Sequence, residues 1–432
     1  MSVPCISLDS GWISSSHDNP VVFCSSDHRF ESIIHSSLNA SLDEEGAMAV
    51  LIHVVQSGES LWQITNYYHV SAIVVAAING LSDSNRLVIG QALVVPIPEV
   101  PPYAGPKPTL EVNAYTYQSD SVDALTILQL GYLLTSVIPF AYHVTANGTL
   151  DLLDDQARLS AAFAQNVLPT MAINNFSATE SGSDLLHRVL NTPEYRENLL
   201  SDIVRIMQEK GYRGLNVDFE NVLPADREQY NQFLQQAADR LHPLGFLLST
   251  AVMPKTGATQ PFASYEAYDY EAHGRIVDFV VLMTYEWGFR LGPPQAISPV
   301  DKMREVVQYA LSVIPANKIS LGFETYARDW LLPHVEGREA ETFSPKEAVD
   351  RAIKYGAAIQ YDQQAQSPYY RYVDEQGRSH EVWFEDARSA QAKFDLVKEF
   401  KLRGLSYWAL GYPYPQNWAL LENNFTIRKW RT

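Results

Sequence analysis

In the segment GYRGLNVDFENV, three polar side chains alternate with apolar ones: Asn216, Asp218 and Glu220 against Leu215, Val217 and Phe219. Successive residues of a strand point to opposite faces, so a strand here sends the polar groups one way and the apolar groups the other. Burying two carboxylates two positions apart is costly, because desolvation disfavours both charges and each charge disfavours the other. The outcome at neutral pH is one carboxyl kept protonated beside a carboxylate. A positioned acid of that kind suits cleavage of a glycosidic bond, whose leaving oxygen takes up a proton as positive charge builds on the sugar ring. Two neighbours on one strand stand too close together to flank a sugar as acid and nucleophile, so the nucleophile has to come from the substrate.

This run is the fourth of eight. Beyond Thr109, short β-branched or aromatic runs follow one another: EVNAYTY, LLTSVIPFAYHV, VLPTMAI, GLNVDFE, FLLSTAV, IVDFVVLMTYE, KISLGFETY and GLSYWAL. Between them lie amphipathic segments such as YRENLLSDIVRIMQEKG and DREQYNQFLQQAADRLHPLG. Strands alternating with helices predict parallel βα units, and eight of them over residues 110–432 predict an α/β fold of the (β/α)8, or TIM barrel, type with catalytic groups at the carboxyl ends of the strands. The stretch 331–389 is too long for one connection and carries its own strand-like runs (AIQYD, YYRYVD, SHEVWF), which predicts a small α+β insertion between the seventh strand and the last helix. A doubly wound open sheet is the alternative architecture. Against it, no GxGxxG or GxxxxGK[ST] follows any strand, so the phosphate cradle of a nucleotide fold is missing.

A smaller βααβ unit precedes the barrel, over residues 48–98: a strand (LIHVV), a turn at Ser57 and Gly58, two helices (ESLWQITNYYH, SAIVVAAING) and a strand (ALVVPIP). Leu61, Ile64 and Tyr68 turn one helical face inward, against a sheet supplied by Val54, Val94 and Val95. Ser57 is expected as an N-cap and the Asn79–Gly80 pair as a C-cap. Six prolines within PIPEVPPYAGPKP predict an extended, semi-rigid linker, placed at 99–109. Residues 1–47 keep no helical or strand period and are expected to be a weakly ordered extension, with Met48 as the natural initiator. A second module of the same type is not found, so one chain gains nothing from tandem binding.

The chain has 432 residues, 46% of them hydrophobic, enough for two or three packed units. No apolar run is long enough for a transmembrane helix, and the first thirty residues lack the pattern of a secretory signal, so export by the general route is not expected. The net charge of −18 opposes nonspecific binding to nucleic acid or anionic lipid, and neither nucleic acid nor membrane is expected as a partner. Both cysteines, Cys5 and Cys24, lie in the N-terminal extension, so no disulfide framework holds the main units. The eleven histidines are scattered without HExxH or CxxC company, and no metal or other cofactor is expected.

The residues HVVQSGESLWQIT, the Asn79–Gly80 pair and the closing IGQALVVPIP resemble a LysM domain. That resemblance implies binding of N-acetylglucosamine-containing glycan, peptidoglycan or chitin, in a shallow groove near Gly58, Glu59, Ser60 and Leu61 and near Asn79, Gly80 and Leu81. The same residues also serve as plain turns and caps. GLNVDFE resembles the DGxDxDxE signature of family 18 glycoside hydrolases, and VLMTYEW resembles their MxYD segment. With FAYHV, LGFETYARDW, VWFEDARS and GLSYWALG the likeness spans residues 110–428 and is to the LysM-linked, spore-associated branch that acts on cortex peptidoglycan.

The resemblance implies a substrate-assisted retaining mechanism, in which the 2-acetamido oxygen of the sugar attacks its own anomeric carbon. Glu220 would be the acid and later the base, Asp218 would orient the acetamido group and offset the charge of the intermediate, and Tyr285 would bond the acetamido oxygen. Trp408 would floor the sugar, with Asn216, Met283, Asn174 and Glu286 completing the substrate-binding set. Tyr285 and Trp408 also have a reading as core aromatics. Glu286 either pairs with a positive group or lines the rim, turn chemistry also explains Asn174 and Asn175, and Glu385 and Asp386 either orient substrate or cap the helix that follows. Two positions depart from the signature: Arg213 and Asn216 stand where it carries Asp. Asn216 removes one buried negative charge, and its amide can still bond Asp218. The expected activity is cleavage of β-1,4 bonds in N-acetylglucosamine-containing glycan of the spore cortex, with the protein spore-associated or in the cell wall. The alternatives are a chitinase and a glycan-binding protein without turnover.

Overall fold

Eight parallel strands, Thr109–Thr116, Ser136–Pro139, Leu168–Asn174, Gly214–Asp218, Leu247–Val252, Phe279–Leu282, Ile319–Glu324 and Gly404–Trp408, pair in chain order, and the last pairs with the first to close a (β/α)8 barrel. The computed structural model describes residues 49–97, 106–259 and 263–430, so the extension over 1–47 and most of the proline-rich linker lie outside the described residues.

The alternation read in the fourth run holds in the barrel wall. Leu215, Val217 and Phe219 join the apolar layer between sheet and helices, while Asn216 and Asp218 point inward. Around the inside, Ser136 bonds Thr170, Ser320 bonds Ser406 and Asn216 bonds Ser249 across neighbouring strands, while the Tyr115 hydroxyl reaches Asn216 across the barrel interior, so the polar groups satisfy one another. The helices cover the outside through apolar stripes. In Pro193–Lys210 the buried residues are Leu199, Leu200, Ile203, Ile206 and Met207, and the helix stops at Gly211, whose φ of 81° closes the left-handed cap. No helix among the described residues is long and apolar enough to cross a membrane.

The insertion follows the seventh strand directly. Its five antiparallel strands, Ala327–Leu332, Glu341–Phe343, Gln360–Asp362, Ser367–Val373 and Ser379–Trp383, carry the helix Pro345–Tyr355. The first of them starts before residue 331, the expected start, because Thr325 and Tyr326 alone make the turn out of the barrel. The insertion ends ahead of the helix Ala387–Phe400, which leads into the eighth strand, and one more helix, Pro415–Asn424, follows that strand.

In the small module the antiparallel strands Ala49–Val54 and Ala92–Ile97 carry the helices Leu61–Tyr67 and Ala72–Ile78. Two expectations are corrected. The N-cap is Ser60, not Ser57: Ser60 Oγ accepts from Gln63 N, and Gln63 Oε1 accepts from Ser60 N, a reciprocal capping box. Val94 does not back the helices; Leu93 and Val95 pack with Leu61, Ile64 and Val75, whereas Ala92 and Val94 face the barrel and join its core.

Candidate active site

The fourth strand ends at Asp218, and the chain beyond it is held by side chains from neighbouring elements. Tyr268 Oη donates to Phe219 O at 2.7 Å, and Ser183 Oγ donates to Asn221 O at 2.6 Å. Asn175 makes a two-sided clamp on Glu220: its Oδ1 accepts from Glu220 N and its Nδ2 donates to Glu220 O, both at 2.8 Å. The same amide also donates to Gly182 O at 3.0 Å. Asn175 sits one residue past the end of the third strand, so the clamp ties two adjacent strand ends together. Asn175 reads from the sequence as either a sugar contact or a turn residue, and nothing in its local spacing points to a partner 45 residues away.

Inside the barrel, Asp218 is almost wholly buried and its Oδ1 has no hydrogen-bond partner. Asn216 is fully buried, and its amide is taken by the Tyr115 hydroxyl at 2.9 Å and by Ser249 Oγ at 3.0 Å. It therefore braces the floor beneath Asp218, and the expected bond to Asp218 is replaced by these two. Asn174, in register with Asp218 across the sheet, is also buried; its Oδ1 meets His143 Nδ1 at 2.6 Å and its Nδ2 is unpartnered. Met283 is packed in the barrel core with its backbone N bonded to Val252 O, so its side chain shapes the wall rather than offering a polar contact.

Burial lifts the Asp218 carboxyl to about 7. It pushes the Glu220 carboxyl well above the ordinary range, with the charges of Asp218 and Glu286 adding to the effect. The Tyr285 and Tyr115 hydroxyls are raised by burial too, and each is influenced by Asp218 and Glu220, so all four groups share one electrostatic neighbourhood. The pair Asp218 and Glu220 thus holds a proton at neutral pH, as the like-charge argument requires.

Tyr285 stands beyond the end of the sixth strand, and Glu286 follows it with φ of 69°, a left-handed conformation that a residue with a Cβ adopts only when its surroundings impose it. Arg328 supplies the constraint: Nη1 and Nη2 reach the two Glu286 oxygens at 2.9 and 2.7 Å in a bidentate pair, and Tyr326 Oη donates to the same carboxylate. Of the two readings of Glu286, pairing with a positive group is the one the structure forms. Arg328 and Tyr326 belong to the root of the insertion and went unread in the sequence.

Trp408 closes the site at the end of the eighth strand. The rings of Phe140 and Tyr115 meet it edge-on at 4.7 and 5.5 Å, and Tyr117 lies nearly parallel to it at 6.0 Å with 20° between planes. Tyr412 extends this aromatic row from Tyr117. Asp386 caps the helix Ala387–Phe400 by accepting from Arg388 N and Ser389 N, while Glu385 is buried against Lys393. Next to that pair, burial also raises the carboxyl of Glu324 well above the ordinary range.

Of the module residues tied to glycan, Gly58 and Ser60 are exposed and Glu59 is partly so, its carboxylate accepting from Gln56 N and meeting His53 Nε2. Leu61 is buried in the module core. Asn79 is buried, its amide bonded to Val75 O, Val94 O and Val94 N; Gly80 and Leu81 continue the turn.

Comparison with known proteins places this architecture. The family model for glycosyl hydrolases family 18 matches residues 113–412, and that for the LysM domain matches residues 53–96. A cortical fragment-lytic enzyme of Bacillus subtilis (strain 168) is 43% identical over 427 aligned residues, covering 88% of this chain and 99% of that protein. The crystal structure of the spore cortex-lytic enzyme SleL of Bacillus megaterium QM B1551 superposes with a TM-score of 0.85 at 36% identity, covering 89% of this chain and all of that one. A chitinase from Chromobacterium violaceum ATCC 12472 superposes with a TM-score of 0.68 at 25% identity over 73% of this chain and 98% of that one.

Proposed function

The chain belongs to glycosyl hydrolases family 18, and from that premise we propose that Asp218, Glu220 and Tyr285 carry out substrate-assisted cleavage of the β-1,4 bonds of N-acetylglucosamine in spore cortex peptidoglycan. The protein is a glycosidase of the spore cortex, in keeping with relatives that match it over nearly their whole length. The observation that carries the residue assignment is the carboxyl pair at the end of the fourth strand: a buried Asp218 and a half-buried Glu220, both lifted, the latter on a clamped backbone.

Glu220 donates its proton to the leaving glycosidic oxygen while the acetamido carbonyl oxygen of the sugar forms a bond to the anomeric carbon. The C–O bond to the leaving sugar breaks, and a positively charged oxazolinium ring results. Asp218 balances that charge and holds the acetamido N–H, and the Tyr285 hydroxyl donates to the acetamido oxygen. Water then attacks the anomeric carbon from the side the leaving sugar vacated, and Glu220, now a carboxylate, takes its proton. The ring reopens with retained configuration. Trp408 offers an apolar floor to the sugar. Asn216 and Asn174 support this machinery from below as positioning residues, and Glu286 does so through Arg328. The module adds binding to peptidoglycan or chitin-type glycan.

The test is reducing-end and mass analysis of purified cortex fragments incubated with the parent chain and with Glu220→Gln. New N-acetylglucosamine reducing ends from the parent, with turnover down by at least about 10²-fold in the variant and binding intact, is the expected result. Binding without products from either chain would overturn it in favour of a glycan-binding protein. A parallel series of N-acetylglucosamine oligomers separates this substrate from chitin, since both polymers present the same sugar.

A further inference from the structure

The second half of the module's expected glycan groove is turned toward the barrel. Gln416, buried at the start of the helix Pro415–Asn424, donates from Nε2 to Asn79 Oδ1 at 2.9 Å and to Ala92 O at 2.8 Å. A methyl group on Gly80 would lie 2.7 Å from Pro415 Cγ. Ser82 is hydrogen-bonded to both Lys346 and Asp350 of the insertion. At Gly90 the two backbones touch: an added Cβ would meet Ile359 O, and Ile359 N donates to Ile89 O at 2.8 Å.

All these contacts fall on the barrel face that holds the carboxyl ends of the strands. The helix Pro415–Asn424 begins seven residues after Trp408, the insertion grows from the end of the seventh strand, and Arg388, which donates to Gly90 O at 3.1 Å, opens the helix that leads down to the eighth. The module therefore sits beside the cleft, with apolar contact beneath it: Ala92 and Val94 join the barrel core and Val88 joins the insertion core. Gly58 and Ser60, in the loop after the first module strand, remain exposed.

We propose that the module is a fixed extension of the catalytic face. Its Asn79–Gly80–Leu81 turn is spent on docking, and it engages glycan from the Gly58–Glu59–Ser60 side, at a set offset from Glu220. This rests on the glycan reading of the module and on the glycosidase reading of the barrel. A bound strand then meets the cleft at a defined distance, so glycans long enough to span both sites are cleaved in preference to short ones.

Hydrogen exchange on the full chain reads the docking without any substrate, through the Ile359 amide that crosses the interface. Gln416→Glu keeps an acceptor for Ala387 N but sets a carboxylate against the oxygens of Asn79 and Ala92. Lys346→Glu weakens the same contact from the surface. The expected result is strong protection of Ile359 in the parent, its loss in both variants, and unchanged protection of the barrel strands. With purified cortex glycan fragments of increasing length, kcat/KM should rise several-fold in the parent once both sites are spanned, and the variants should lose that rise while keeping the short-fragment rate. Free exchange of Ile359 in the parent would overturn the proposal, as would new protection of the Asn79–Ser82 segment by glycan together with opening at Ile359. Absence of all turnover would instead strike at the glycosidase reading, leaving the exchange result to decide the docking.

Discussion

Asp218 and Glu220 make the folded chain hold protons that the unfolded chain releases. The Asp218 carboxyl moves from 3.8 to about 7 on burial. Below about pH 4 both states are protonated and the site costs nothing; as pH rises toward 7 only the folded state keeps the proton, so this group's contribution to stability falls. Asp218→Asn removes that liability, and its Tm should exceed the parent's at pH 7 by a margin that shrinks toward pH 4. A margin independent of pH would mean that the carboxyl is not the cause. Glu286 is one of the charges that raise Glu220. Glu286→Gln should therefore shift the alkaline limb of the kcat/KM profile to lower pH, and an unmoved limb would disconnect Glu286 from the acid. The polar triplet Asn216, Asp218 and Glu220 was legible because alternation separates it from the apolar face. Glu286 was ambiguous because its partner Arg328 lies 42 residues on, beyond any local pattern.

Strand ends, rather than strands, set the geometry of the acid. Glu220 lies two residues past its strand, where ladder hydrogen bonds no longer fix the backbone, and Asn175 from the adjacent strand end replaces them. Asn175→Ala leaves a backbone N–H and C=O without these partners and frees the acid to wander. A fall in kcat of roughly 10–100-fold with little change in KM is expected, since small displacements of a reacting group are that costly. A KM effect alone would make Asn175 a substrate contact instead. The insertion works at this scale too: its root delivers Tyr326 and Arg328 to Glu286, so a segment that reads as a decoration holds one wall of the site.

Module, insertion and barrel share buried surface. Leu93 and Val94 are adjacent in one strand and both fully buried, but Leu93 packs under the module's helices and Val94 against the barrel. Val94→Ala should cost about 2 kcal/mol and loosen the junction, measured as lost exchange protection at Ile359. Leu93→Ala should cost about 2–5 kcal/mol within the module and unfold it ahead of the barrel. Identical unfolding profiles for the two variants would mean that module and barrel melt as a single unit.

The sequence by itself determined the eight βα units, the βααβ module, the insertion and the polar triplet on the fourth strand, because each is written in a local period of two or of 3.6 residues or in the dense prolines of a linker. Only the tertiary structure decided what those elements face. In the strand Ala92–Ile97, ALVVPI, apolar residues lie on both faces, so no alternation distinguishes the side toward the helices from the side toward the barrel, and Val94 was assigned to the wrong one. Asn79 reads as a helix cap from its neighbours and becomes a docking contact only because Gln416, 337 residues later, is brought against it. Contacts of that separation depend on how whole elements pack, and no local period records them.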